Sequence, residues 1–236
     1  MGAYDEFREN ILDAHLPLFQ QMLHDGSIVF ATRPSDEPMT ITPPSRRDDL
    51  FLDRLMDEFV EIKHTFDRLR DSEIYIRQYP FRTRKLDKVR YLRAMIEAHL
   101  NEIYVLAQRL EAMAKFVTRA YRRDARAVEI KRSMDEVVRL VQQSLKDINA
   151  ARGHHVHRAR FQDRELRQLG MMWILAQRKP DLTSNFETVY RGIKRSKLKW
   201  VTDNNALIEK LLDECFKLID PVVFTRSKRL RPPAVA

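Results

Sequence analysis

Apolar residues recur every three or four positions along most of this chain, the spacing that lines one face of an α-helix. In residues 4–24 that face is Phe7, Ile11, Leu12, Leu18, Phe19 and Met22, with His15 among them and Pro17 placed to kink or divide the helix. Asp48 or Asp49 is suited to cap a second helix, whose stripe is Leu52, Leu55, Phe59, Ile62, Phe66 and Leu69. Two stretches leave the helical period. SIVFAT, Ser27–Thr32, reads as a strand, and EIYIRQYPF, Glu73–Phe81, alternates briefly. Strand content is therefore expected only at Ser27–Thr32 and Glu73–Tyr79, paired as a ribbon that needs helices to pack on. Between SIVFAT and the second helix lies RPSDEPMTITPPS, too rich in proline to be helical throughout.

From about Thr83 the helical period dominates. One helix is expected to about Arg122 and a second from about Asp124 to Arg152, where Gly153 offers a C-terminal stop. A shorter helix spans Asp163–Arg178 and ends before Pro180. Ser184 and Glu187 have capping-box spacing, so the last helix is expected to start at Ser184. It should stop before Pro221, with an interruption near Thr202–Asn205. The reading is all-α: an antiparallel helical bundle over residues 83–224, a small helical N-terminal region over 1–82, and a disordered basic tail over 225–236.

Charge changes this picture from fold to partner. The chain carries 43 Lys or Arg against 34 Asp or Glu, a formal +9 over 236 residues. Between Asn149 and Trp200 there are twelve basic and four acidic residues, so the positive field is concentrated in the second half. Such a field favours polyanions, nucleic acid first, against the plainer reading of a solvated helical surface. No apolar run approaches the roughly 18 residues that span a bilayer, so no membrane partner is expected. The acidic, polar N-terminus does not read as a secretory signal, and Glu6 stands where a myristoylation signal has Ser or Thr. One cysteine, Cys215, cannot form an intramolecular disulfide, and a reducing cytoplasm is the expected compartment.

The densest chemistry is NAARGHHVHRARF, Asn149–Phe161. Arg152 and His157 would lie about 140° apart on a continuous helix. If the helix ends at Gly153, His157 can fold back beside Arg152. A guanidinium then holds phosphate oxygens, and an imidazole titrating near neutrality moves a proton. Arg158 and Arg160 would position the backbone of a polyanion. His154 and His155 are either phosphate donors or bystanders on a polar turn. Three imidazoles within four residues cannot share one ion with good geometry, so neither a metal nor another cofactor is expected. His99, Asn101 and Glu102 form a further polar group, lining a cleft or, more simply, a solvated face. No phosphate loop, dinucleotide fingerprint, nucleophile elbow or HExxH is present to support the common nucleotide-dependent or hydrolytic classes.

A bundle whose helix before the last pair ends in Arg-x4–6-His resembles the HEPN superfamily. The resemblance covers about Thr83–Ile219 and rests on helix order and on Arg152 and His157. It implies a metal-independent endoribonuclease or RNA-binding protein, of the kind found in toxin–antitoxin and defence systems. It also implies a homodimer in which two such motifs meet, and an antitoxin protein as a further partner. Arg152 takes the family's phosphate-holding place and His157 that of the general acid or base. The family commonly has Asn, Asp or His after the arginine, where this chain has Gly153. The rival expectation is a non-enzymatic helical module for dimerisation or protein interaction.

Overall fold

The computed structural model describes residues 2–24, 28–29, 40–41, 47–78, 87–146 and 163–234. Within them the chain is all-α, with helices α1 (Ala3–His24), α2 (Arg47–Arg77), α3 (Lys88–Ala120), α4 (Ala127–Ser144), α5 (Arg164–Arg178) and α6 (Thr183–Val223). A two-residue strand β1 (Ile28–Val29) pairs antiparallel with β2 (Thr40–Ile41), Ile28 opposite Ile41. The short ribbon thus exists, but its second strand comes from the proline-rich connector. Glu73–Arg77 are the last turns of α2 instead. Helical spacing continues there through Leu69, Ser72 and Ile76, all buried, while Ile74 and Tyr75 are exposed.

The chain folds as two compact units, one of residues 1–62, 109–141 and 211–236, the other of 63–108 and 142–210. The boundary expected at 82/83 is not where they divide, because α2, α3 and α6 each contribute to both. In the first unit the core is aromatic. Phe7 packs on Phe216 at 4.7 Å between ring centroids, on Phe224 at 5.4 Å and on Phe59 at 5.5 Å. Two acidic residues of α6 fasten α1 to it. Asp213 accepts from the Tyr4 backbone N–H at 3.1 Å, and Asp220 accepts from Asn10 Nδ2 at 2.9 Å. A Cβ at Gly2 would lie 2.3 Å from Asp213 Oδ1, so a side chain there would displace that carboxylate.

That packing explains why two prolines do not break their helices. Pro17 lies inside α1 and Pro221 inside α6. Beyond Pro221 the side chains of Val222, Val223 and Phe224 are buried, and the Phe224 N–H still reaches Asp220 O at 2.8 Å. Core packing outweighs the missing backbone bond. The tail after it is ordered rather than disordered through residue 234. Phe224 bridges to Leu230, the Arg231 N–H bonds Val223 O at 2.8 Å, Lys228 pairs with Glu6, and buried Tyr121 donates its hydroxyl to Arg231 O.

In the second unit Leu92, Ile96 and Leu100 of α3 pack with Leu166 and Leu169 of α5 and with Phe186 and Val201 of α6. Asp163, where the shorter helix is expected to begin, is its N-cap, accepting from the Leu166 N–H at 2.9 Å. The capping box at Ser184 does not form. Pro180 opens a 3-10 turn, Pro180–Leu182, that runs directly into α6, so Ser184 is already helical and Glu187 pairs with Lys88. Nor is α6 interrupted at Thr202–Asn205.

Candidate functional site

The site predicted from sequence falls largely outside the described residues. Arg152, His154, His155, His157, Arg158 and Arg160 all belong to 147–162. Both flanks of that segment belong to the second unit. On the far side Asp163 and Glu165 are tied to Lys197 of α6, with Lys197 Nζ 2.7 Å from Glu165. Burial acts to lower the Lys197 pKa, but its hydrogen bonds to Asp163 and Glu165 prevail and raise it. Arg93 of α3 reaches the first turn of α5, its Nη2 3.5 Å from Leu166 O.

The three remaining candidates separate. Asn101 is exposed, and Glu102 pairs with Arg68 at 3.2 Å, as a solvated face requires. His99 is fully buried and contradicts that reading. Its Nδ1 lies 2.8 Å from Ser72 Oγ, and the Ser72 hydroxyl donates to Leu69 O at 2.6 Å. With its one hydrogen so committed, Ser72 can only accept from His99, so the proton sits on Nδ1. Asn205 of α6 donates from Nδ2 to the same Leu69 carbonyl at 3.2 Å. Trp200 stands edge-on to the imidazole, 5.6 Å between centroids. His99 Nε2 and Asn205 Oδ1 have no partner among the described residues. Burial lowers the His99 pKa from 6.5 to about 4, so the ring is neutral at physiological pH.

Ser72 and His99 have the composition of a nucleophilic dyad without its geometry. The serine hydrogen points to a backbone carbonyl, and Ser72 and His99 are 6% and 0% exposed, closed to substrate. The cluster instead joins α2, α3 and α6 at one polar point in an apolar core. Ser72 and Asn205 escape a reading of the sequence because each looks like a break in the helical stripe.

Positive charge accumulates in the residues of this unit. Residues 63–108 and 142–210 hold 24 Lys or Arg against 13 Asp or Glu, a formal +11, whereas the other unit holds 19 against 21. Arg178, Lys179, Arg191 and Arg195 are exposed and form no ion pair among the described residues. Arg191, Arg195 and Lys199 recur every four residues on α6, about 6 Å apart along the axis.

Cys215 is buried, and burial pushes its thiol up to about 12, so it is neither nucleophile nor ready ligand. Among the described residues no three His, Cys, Asp or Glu are grouped to hold a metal, and no helix is long and apolar enough to cross a membrane. Compared with protein-family models, curated proteins and solved structures, the chain matches none.

Proposed function

We propose that this chain binds RNA through its second unit and cleaves it without a metal, Arg152 holding the scissile phosphate and His157 moving the proton. The observation that carries the reading is the segregation of charge, +11 on one unit and −2 on the other. Phosphate contacts dominate nucleic-acid affinity, and cations gathered on one unit give the chain a polyanion-facing side. His154, His155, Arg158 and Arg160 lie in the same basic sequence and would hold the strand on either side of the reacting group. RNA, a second copy of the chain and an antitoxin protein are the partners of this reading, and a toxin–antitoxin or defence role is its biological form.

The test has two parts. Fluorescence anisotropy with a structured RNA should give an affinity that falls steeply with salt. Single-turnover cleavage in EDTA should proceed with wild type and be lost in His157→Ala. Arg152→Lys should be nearly as damaging as Arg152→Ala, because lysine keeps the charge and loses the planar fork. Cleavage unchanged in His157→Ala would remove the catalytic part, and salt-insensitive or absent binding would remove the whole. A second reading, a helical dimerisation or protein-interaction module, is favoured by the exposed leucines of α1.

A further inference from the structure

Two helical faces carry bulky apolar side chains in the open, and they are opposite in charge. On α1 the residues Leu12, Leu16, Phe19 and Leu23 are 43%, 53%, 36% and 41% exposed. Their spacing of four, three and four is that of a helix–helix seam. The core-facing residues of α1 are at other positions, Phe7, Ile11, Leu18 and Met22. On α5 Met171, Ile174 and Leu175 are 61%, 56% and 51% exposed, while Leu166, Leu169 and Ala176 face the core. Single exposed apolar residues need no account, but rows of them on one helix mark a binding surface.

The residues around the two rows are complementary. The α1 row is joined at its N-terminal side by exposed Glu9 and Asp13 and by Asp5, with Arg8 paired to Asp5 and Glu9, leaving an excess of negative charge. The α5 row is bracketed by Arg164 and Arg167 before it and by Arg178 and Lys179 after it, all exposed. Glu165, the one acid on α5, is held by Lys197. An acid-flanked apolar seam facing a second α1 would set carboxylates against carboxylates or leave them unpaired. Facing α5 it sets them against arginines. We infer that α1 of one copy of this chain docks on α5 of another, the leucines of the first covering Met171, Ile174 and Leu175 of the second. The contact is heterologous, since one surface meets a different surface, and each copy carries both halves.

That asymmetry supplies the test. Sedimentation velocity at high micromolar concentration should give wild type a mass above the 28.1 kDa of one chain. Leu16→Asp and Ile174→Asp should each sediment as monomers, since each removes one half of the interface. Their equimolar mixture should regain a dimer and nothing larger, because only one such interface can then form. Arg167→Glu with Arg178→Glu, a purely surface change, should weaken wild-type association at least tenfold, and added salt should do the same. Circular dichroism melts keep folding defects apart from association defects. A monomeric wild type would overturn the proposal. So would an Ile174→Asp variant that still dimerises, which is the outcome of α1 pairing with α1, and so would two folded monomeric variants whose mixture stays monomeric.

Discussion

Acid should destabilise the second unit through one residue, and the size of the effect follows from where His99 sits. The neutral ring is buried, with Nδ1 bonded to Ser72 and Nε2 without a partner among the described residues. Protonation in place would put a charge in an apolar core. The folded state therefore holds its His99 pKa at about 4, against 6.5 for the exposed residue. Between those two values the unfolded chain binds a proton that the folded chain does not, so stability rises with pH across the window. It is fully present above pH 6.5 and is lost as pH falls towards 4. At about 1.4 kcal/mol for each pH unit, the loss comes to about 3 kcal/mol. His99→Leu removes the titration and the unpartnered Nε2. It costs one hydrogen bond, although Ser72 keeps its own bond to Leu69 O. At pH 7.5 the variant should lie within about 1 kcal/mol of wild type, because the two changes oppose. At pH 4.5 it should be the more stable protein by about 2 kcal/mol or more. Both tryptophans, Trp173 and Trp200, belong to the second unit, so urea melts followed by their fluorescence report on it directly. Wild-type and variant stabilities that run parallel from pH 7.5 to 4.5 would refute the buried-neutral assignment.

Three further perturbations test the rest of the frame. Gly2→Ala should push the Asp213 carboxylate off the Tyr4 N–H and cost about 1 kcal/mol in thermal unfolding, with Asp213→Ala adding little on top. Lys197→Met should cost about 1–2 kcal/mol, chiefly by stranding the partly buried Asp163, while Lys197→Arg should recover most of it in the same urea melts. Tyr121→Phe removes the hydroxyl donated to Arg231 O, and trypsin should then cut after Lys228 and Arg229 several times faster than in wild type.

Much of the fold is legible because the apolar rows are long. The stripe from Leu52 to Leu69 is buried throughout, and the shorter helix expected over Asp163–Arg178 spans Arg164–Arg178. The misreadings share a cause. Ser72 interrupts the stripe of α2 and Asn205 that of α6, so the first reads as the edge of a strand and the second as a break. They are polar residues on buried faces, satisfied in part by the Leu69 carbonyl and by His99. Their tolerance depends on a partner from another helix, which periodicity along one helix cannot reveal. Pro221 and the tail fail in the same way, since Phe224 and Arg231 are held by residues far away in sequence. For the candidate site the sequence remains the primary guide. Its charge and its Arg152–His157 spacing are local properties. Of the three remaining candidates only His99 has an unexpected place, because a buried and a solvated histidine are identical letters.

The central claim is that the second unit is the RNA-facing one. Its most direct measurement compares two charge reversals of equal size by RNA-binding anisotropy across a salt series. One is Arg191→Glu with Arg195→Glu on α6. The other is Arg122→Glu with Arg123→Glu, equally exposed but in the first unit. The α6 variant should bind at least tenfold more weakly, with the slope of log affinity against log salt reduced by about two, one for each phosphate no longer neutralised by an arginine. The first-unit variant should keep the wild-type affinity and slope to within a factor of about two, a difference of about 0.4 kcal/mol. Equal weakening by both variants, or a larger effect of the first-unit pair, would contradict the account.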